Sequence, residues 1–133
     1  MRVADLMQKD VKTIAPDASV AELVQSLADL HVSGLPVVNS TGRVIGVVTA
    51  TDVLQAGAER EDAESRASLF ADTMVRDIMS QSPQVIEPEA DARDAAKHML
   101  YQEVRRLFVE DQGRLVGVIS QTDIAHAVGT GRL

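Results

Sequence analysis

The chain has no cysteine and no tryptophan, and its 133 residues include one tyrosine and two phenylalanines. Without thiols there are no disulfides, no thiolate metal sites and no cysteine nucleophile. With aromatic residues at 2%, the core has to be built from Val, Leu, Ile, Ala and Met. Positive charge is also short: 13 Lys and Arg face 20 Asp and Glu, a formal net charge of −7. That balance argues against nucleic acid or an anionic membrane as the main partner, because both reward a basic face. No apolar run approaches membrane-spanning length, and Met1-Arg2-Val3-Ala4-Asp5 lacks the apolar stretch of a signal peptide. The expectation is a cytoplasmic protein folded as one compact module. His31, His98 and His126 are scattered without ligand spacing, and there is no glycine-rich phosphate loop, nucleophile elbow or zinc motif. No catalytic residue and no metal site are expected.

What is present is an internal repeat. Val3-Ala4-Asp5-Leu6-Met7 returns 72 positions later as Val75-Arg76-Asp77-Ile78-Met79. The same offset pairs Ile14 with Ile86, Pro16 with Pro88, Leu35 with Leu107 and Val37 with Val109. After one extra turn residue in the first copy the offset drops to 71, pairing Gly42 with Gly113, Gly46 with Gly117 and Asp52 with Asp123.

Each copy reads β-α-β-β-α. In the first, Val11 to Ala15 is a short strand closed by Pro16, and Ser19 stands before Glu22 as in a capping box. Val20, Leu23, Val24, Leu27 and Leu30 fall on one helical face, and Gly34 ends that helix. Leu35–Val38 and Val44–Thr49 read as antiparallel strands joined by Asn39-Ser40-Thr41-Gly42, where the glycosylation sequon is read simply as a turn. Thr51 and Asp52 are expected to cap a helix through Val53–Ala56. In the second copy a strand lies around Val85-Ile86, and a helix after Asp91 turns Ala92, Ala95, Ala96, Met99 and Leu100 inward. A hairpin of Leu107–Val109 and Leu115–Ser120 follows, then a helix over Ile124–Val128 and a fraying Gly129-Thr130-Gly131 tail. The segment from Glu59 to Phe70 carries Arg60/Glu64 and Asp62/Arg66 four apart, which predicts a solvated connector helix; the alternative is a partner contact through Leu69 and Phe70.

The most informative stretch is Gly46-Val47-Val48-Thr49-Ala50-Thr51-Asp52, repeated as Gly117-Val118-Ile119-Ser120-Gln121-Thr122-Asp123. An apolar strand runs into two hydroxyls and a carboxylate where a helix begins. Such a corner suits a polyhydroxy ligand carrying phosphate: the two carboxylate oxygens can each accept one cis hydroxyl, and the hydroxyls and helix-start N–H groups can donate to phosphate. The plain alternative is that Thr and Asp only cap the helix, worth about 1 kcal/mol. One residue can do both.

The doubled D-[LI]-M openings, Gly34-Leu35-Pro36-Val37-Val38 and the two G-x-[VI]-[ST]-x-T-D corners resemble the cystathionine-beta-synthase (CBS) domain pair, or Bateman module, from Val3 to about Val128. The resemblance implies an α+β fold of two βαββα units related by a pseudo-two-fold, with sheets packed together and helices outside. Residues 1–57 would form the first repeat, 58–73 a connector helix and 74–133 the second. It also implies a non-catalytic regulatory module that binds AMP, ADP, ATP, S-adenosylmethionine or NAD and modulates a separate effector protein. Such modules pair into disc-like homodimers, for which Val3-Leu6-Met7 and Val75-Ile78-Met79 offer apolar faces. An assembly module with no bound nucleotide is the alternative.

On that reading Asp52 and Asp123 take ribose, and Thr49, Thr51, Ser120 and Thr122 take phosphate or ribose. Thr13, Ile14, Leu35, Pro36 and Val37 wall the first adenine slot; Val85, Ile86, Leu107 and Phe108 wall the second. Arg105 and Arg106 are the phosphate candidates, whereas Arg43 and Arg114 beside turn glycines read as solvated charges. Phe108 at the Pro36 position and Arg105-Arg106 at the Ser33-Gly34 position predict two sites of unequal affinity.

Overall fold

The computed structural model describes residues 1–133 and contains seven helices and five strands. They are α1 (Val3–Leu6), α2 (Val20–Leu30), β1 (Gly34–Val38), β2 (Val44–Thr49), α3 (Ala50–Ala58), α4 (Ala63–Asp72), α5 (Val75–Ile78), β3 (Val85–Ile86), α6 (Ala92–Gln102), β4 (Arg106–Asp111), β5 (Arg114–Ser120) and α7 (Gln121–Gly129). The mixed α+β class and the twice-repeated order agree with the sequence reading.

The chain divides into two compact units, and their borders are out of step with the repeats. One unit is Lys12–Pro83; the other joins Met1–Val11 to Gln84–Leu133. Each opening segment therefore packs with the other copy's strands and helices. Val75 lies fully buried in a core with Ile14, Leu23, Leu27, Leu35, Val37 and Val48. Val3 lies equally buried with Ala95, Met99, Leu107, Val109, Ile119 and Ile124. The packed units thus exchange the first few residues of the two sequence repeats. Val3 and Val75 are interior anchors, not members of an outward apolar face.

The two corner glycines explain how this fits. Ser80 pairs in an antiparallel bridge with Val47, and Gln8 with Val118. A Cβ on Gly46 would stand 2.7 Å from Met79 Sδ and 2.7 Å from the Ser80 carbonyl oxygen; on Gly117 the distances to Met7 Sδ and the Gln8 carbonyl are 2.6 and 2.9 Å. Only glycine lets the opening segment lie this close across the strand.

The first strand of each copy is shorter than expected, and the prolines say why. In a parallel ladder Ile14 faces Val37, its N–H donating to the Pro36 carbonyl (3.1 Å) and its carbonyl accepting from Val38 (3.0 Å). The next bonds on either side would need an N–H from Pro16 and from Pro36, and neither residue has one. The expected strand from Val11 to Ala15 is cut to this single bridge. In the second copy Phe108 stands in place of Pro36, and its N–H donates to the Gln84 carbonyl at 3.0 Å. That added donor extends the pairing to two residues, β3, parallel to β4.

Helix ends follow local rules. Ser19 Oγ accepts from the Glu22 N–H at 3.1 Å, and Asp91 Oδ1 from the Arg93 N–H at 2.8 Å. α2 and α6 stop at His31 and Glu103, both left-handed (φ 54° and 57°) without being glycine. Within α6, Leu100 is 72% exposed rather than inward, because the apolar stripe is wider than the core it covers. In the connector the expected ion pairs do not form. Asp62 instead caps α4 by accepting from the Ser65 N–H, a bond that holds its carboxyl below the usual range, while Arg60 and Arg66 donate to backbone carbonyls. Leu69 is fully buried and Phe70 is 40% exposed. The C-terminal segment does not fray: Gly131 N–H bonds the Val128 carbonyl and Arg132 N–H the Ala127 carbonyl, a Schellman closure that sets Leu133 against the core. Asn39 Oδ1 accepts from Thr41 N–H, Thr41 Oγ1 and Arg43 N–H, so the sequon is indeed a side-chain-closed turn. No helix is long and apolar enough to cross a membrane.

Candidate functional site

The two corners sit where β2 runs into α3 and where β5 runs into α7. In each, the hydroxyl residue that ends the strand is the N-cap: Thr49 for α3 and Ser120 for α7. Asp52 and Asp123 are the third helical residues and close a reciprocal capping box. The expected cap by Thr51 and Asp52 is thus shifted by two residues, with Thr51 and Thr122 left in the first turn, exposed. The reason is the β-region backbone of Thr49 and Ser120 (ψ 166° and 163°), which puts the cap at the last strand residue.

The cap uses only part of each carboxylate. Asp52 Oδ2 accepts from the Thr49 N–H at 2.8 Å and from its hydroxyl at 3.1 Å, and Oδ1 has no bond within the chain. Asp123 Oδ2 accepts from the Ser120 N–H at 2.9 Å, and its Oδ1 accepts from Gln8 Nε2 at 3.1 Å. Capping and ligand binding are therefore compatible at Asp52, since one oxygen holds the helix while the other has no bond within the chain. A carboxylate fixed in this way is pre-oriented for a hydroxyl donor.

Strand alternation sorts the remaining wall residues. Leu35, Val37 and Ile14 point into the core of the 12–83 unit, and Leu107 into that of the other, so they contribute backbone and support rather than a side-chain wall. Ile86 packs partly against the same second core. The opposite faces carry the residues that share a side with the corners. Gly34 is opposite Thr49 and Pro36 opposite Val47; Arg106 is opposite Ser120 and Phe108 opposite Val118. Thr13 is exposed, Val85 is 37% exposed, and Pro36 and Phe108 are buried.

The two corners thus differ most where Gly34 is replaced by Arg106. The arginine lies beside Ser120 at the helix start, exposed and outside every ion pair. Arg105 precedes the strand and accepts the Gln121 N–H on its carbonyl at 2.9 Å, just as Ser33 accepts the Ala50 N–H at 2.8 Å. The histidines have local tasks: His31 ends a helix and His98 Nε2 lies 2.9 Å from Gln84 Oε1. Gln8 was not among the residues the corner motif singles out. Its signal lay in the repeat, as the residue after the matched D-[LI]-M opening, which is glutamine in one copy and serine (Ser80) in the other.

Two sequence repeats, each carrying a capped carboxylate corner at its last strand-to-helix junction, define a tandem-repeat module. A family model described as "CBS domain" matches residues 3–59 and 75–130. The chain belongs to the CBS-domain family and carries two copies of the domain. An uncharacterized protein of Methanocaldococcus jannaschii is 30% identical over 128 residues, covering 96% of this chain. This chain spans 43% of that relative's length. Among solved structures, CBSX2 of Arabidopsis thaliana in complex with AMP is 28% identical, with TM-score 0.80 and coverage of 99% of this chain and 98% of the other. The CBS domain pair of protein MJ0100, in complex with 5′-methylthioadenosine and S-adenosyl-L-methionine, shares the fold at TM-score 0.76 and 21% identity, covering 98% of each chain.

Proposed function

We propose that the chain is a regulatory module that binds an adenosine-containing ligand at its two corners and changes the behaviour of a separate effector protein. The observation that carries this is the unbonded Oδ1 of Asp52, on a carboxylate whose other oxygen is tied into the helix cap. A ribose presents two adjacent hydroxyl donors to such an acceptor. The AMP held by CBSX2, a relative aligned over nearly the whole chain, supports the same ligand class here.

In this reading Asp52 and Asp123 take the ribose, and Thr49, Thr51, Ser120 and Thr122 supply hydroxyl donors. Thr13 and Pro36 at one corner, Val85 and Phe108 at the other, flank the base, with Ile14, Leu35, Val37, Ile86 and Leu107 presenting backbone behind them. Arg106, assisted by Arg105, takes phosphate at the second corner, where an anionic ligand on an acidic protein needs local positive charge. AMP, ADP and ATP are the leading ligands; S-adenosylmethionine and NAD share the recognised adenosine.

Calorimetry with these five compounds tests the reading. AMP is expected to give heat with the wild type, and Asp52→Ala and Asp123→Ala are each expected to remove one site. No heat from any of them overturns it. Assembly without nucleotide is the second reading, favoured by an apolar groove of about 230 Å³ lined by Ala96, Met99, Leu100, Ile124 and Ala125, with Leu100 exposed. On that reading a second copy of the chain covers α6 and α7, and a monomer by light scattering at high concentration removes it.

A further inference from the structure

The repeat invites a comparison of what each opening segment brings to its corner. Ser80 and Gln8 occupy matching places, each paired through both backbone bonds with the strand that leads into the corner: Ser80 with Val47 at 2.9 and 3.0 Å, Gln8 with Val118 at 2.8 and 3.0 Å. The backbones are held alike, so the difference lies in side-chain length. Asp52 makes bonds only to Thr49, and the short Ser80 hydroxyl does not reach it. Gln8 reaches Asp123 and donates Nε2 to Oδ1 at 3.1 Å.

We propose that Gln8 is an intramolecular competitor for the second corner, so that a vicinal diol meets the Gln8 amide at Asp123 Oδ1, whereas Asp52 Oδ1 carries no bond within the chain. The proposal rests on the ribose reading of the two carboxylates and adds what sets their affinities apart. An amide bond to a carboxylate is charge-assisted, though exposure weakens it. A ligand that offers a single hydroxyl can use Oδ2, which accepts only the Ser120 N–H and keeps a lone pair free, whereas one hydroxyl of a cis-diol spanning both oxygens falls on Oδ1. A cis-diol needs more of the carboxylate and meets the competition in full. Gln8 therefore lowers both affinity and diol selectivity at the second corner. It acts through Asp123, as a specificity-determining residue.

The test is a swap between the copies, read by calorimetry with AMP and 2′-deoxy-AMP. In an Asp52→Asn background, which leaves the second corner's carboxylate, Gln8→Ser is expected to tighten AMP about three- to tenfold and 2′-deoxy-AMP by less. In an Asp123→Asn background, Ser80→Gln is expected to weaken AMP at the first corner by a similar factor. In the wild-type chain the Gln8 side-chain amide protons are expected to shift in NMR spectra as AMP saturates the second corner. If AMP binds but Gln8→Ser leaves it unchanged or weaker, or tightens both nucleotides equally, the competitor role is overturned and the adenosine reading stands. An unmoved Gln8 amide at saturation overturns it likewise. If AMP gives no heat with the wild type and every variant, both fall together.

Discussion

At the scale of single residues, the corners are built from two opposite demands on space. Thr49 and Ser120 need side chains that cap, while Gly46 and Gly117, three residues earlier, need to have none. A methyl at Gly46 would meet both Met79 Sδ and the Ser80 backbone oxygen, and the backbone cannot retreat without breaking its bridge to Val47. Gly46→Ala is expected to cost about 2 kcal/mol as an overpacking change, and Gly117→Ala a similar amount, both measurable by urea denaturation. An unchanged midpoint would mean the opening segment does not hold this position in solution. The sequence showed that these glycines recur but not the reason, because what crowds them comes from more than 30 residues away in one case and more than 100 in the other. Gln8 was hidden for the same reason, since its partner Asp123 is 115 positions off. The carboxylates and hydroxyls were legible because a strand-to-helix corner is local.

At the scale of elements, sequence patterns located the longer helices and the two hairpins but not the four-residue helices α1 and α5, and hydrogen-bond supply decided the length of the first strand in each copy. The expected strand at Val11–Ala15 shrank because two prolines, one just past its end and one in its neighbour, withhold the flanking donors. Periodicity alone counts apolar positions and is blind to a missing N–H. The outward Leu100 is the matching case for helices: its spacing fits the inner stripe, and the width of the core leaves it outside. The helix ends at His31 and Glu103 hold left-handed backbone at a non-glycine residue, in the same place in both copies. Glycine takes that conformation without steric penalty. Glu103→Gly and His31→Gly are each expected to stabilise the fold by about 1 kcal/mol, raising the melting temperature in calorimetric scans. A lower melting temperature would show that the present side chains do more than end the helix.

At the scale of the whole molecule, the repeat seen in sequence and the unit seen in space are different objects. Val3 belongs to the core that holds Met99 and Ile119, and Val75 to the one that holds Leu23 and Val48. Truncating either to alanine removes buried methyls, with an expected loss of about 2 kcal/mol. The loss is expected to be felt across the repeat boundary. In hydrogen exchange, Val3→Ala should speed the amides of β4, β5 and α6, and Val75→Ala those of β1, β2 and α2. Loosening confined to each residue's own sequence repeat would contradict the exchanged arrangement. Sequence alignment of the two copies cannot reveal this, since an opening segment reads the same whichever copy it packs on.

The exchange also sets an order of events during synthesis. The 12–83 unit has all its parts once residue 83 is out of the ribosome, but Val3 and Leu6 precede it and must wait for Leu107 and Ile119. At about 5–20 residues per second that wait is roughly ten seconds, with an apolar turn lacking the surface it will finally cover. Chain growth therefore favours completing the 12–83 unit before the other. Gln8 can meet Asp123 only once residue 123 has emerged, so the second corner acquires its internal occupant after the 12–83 unit has all its parts.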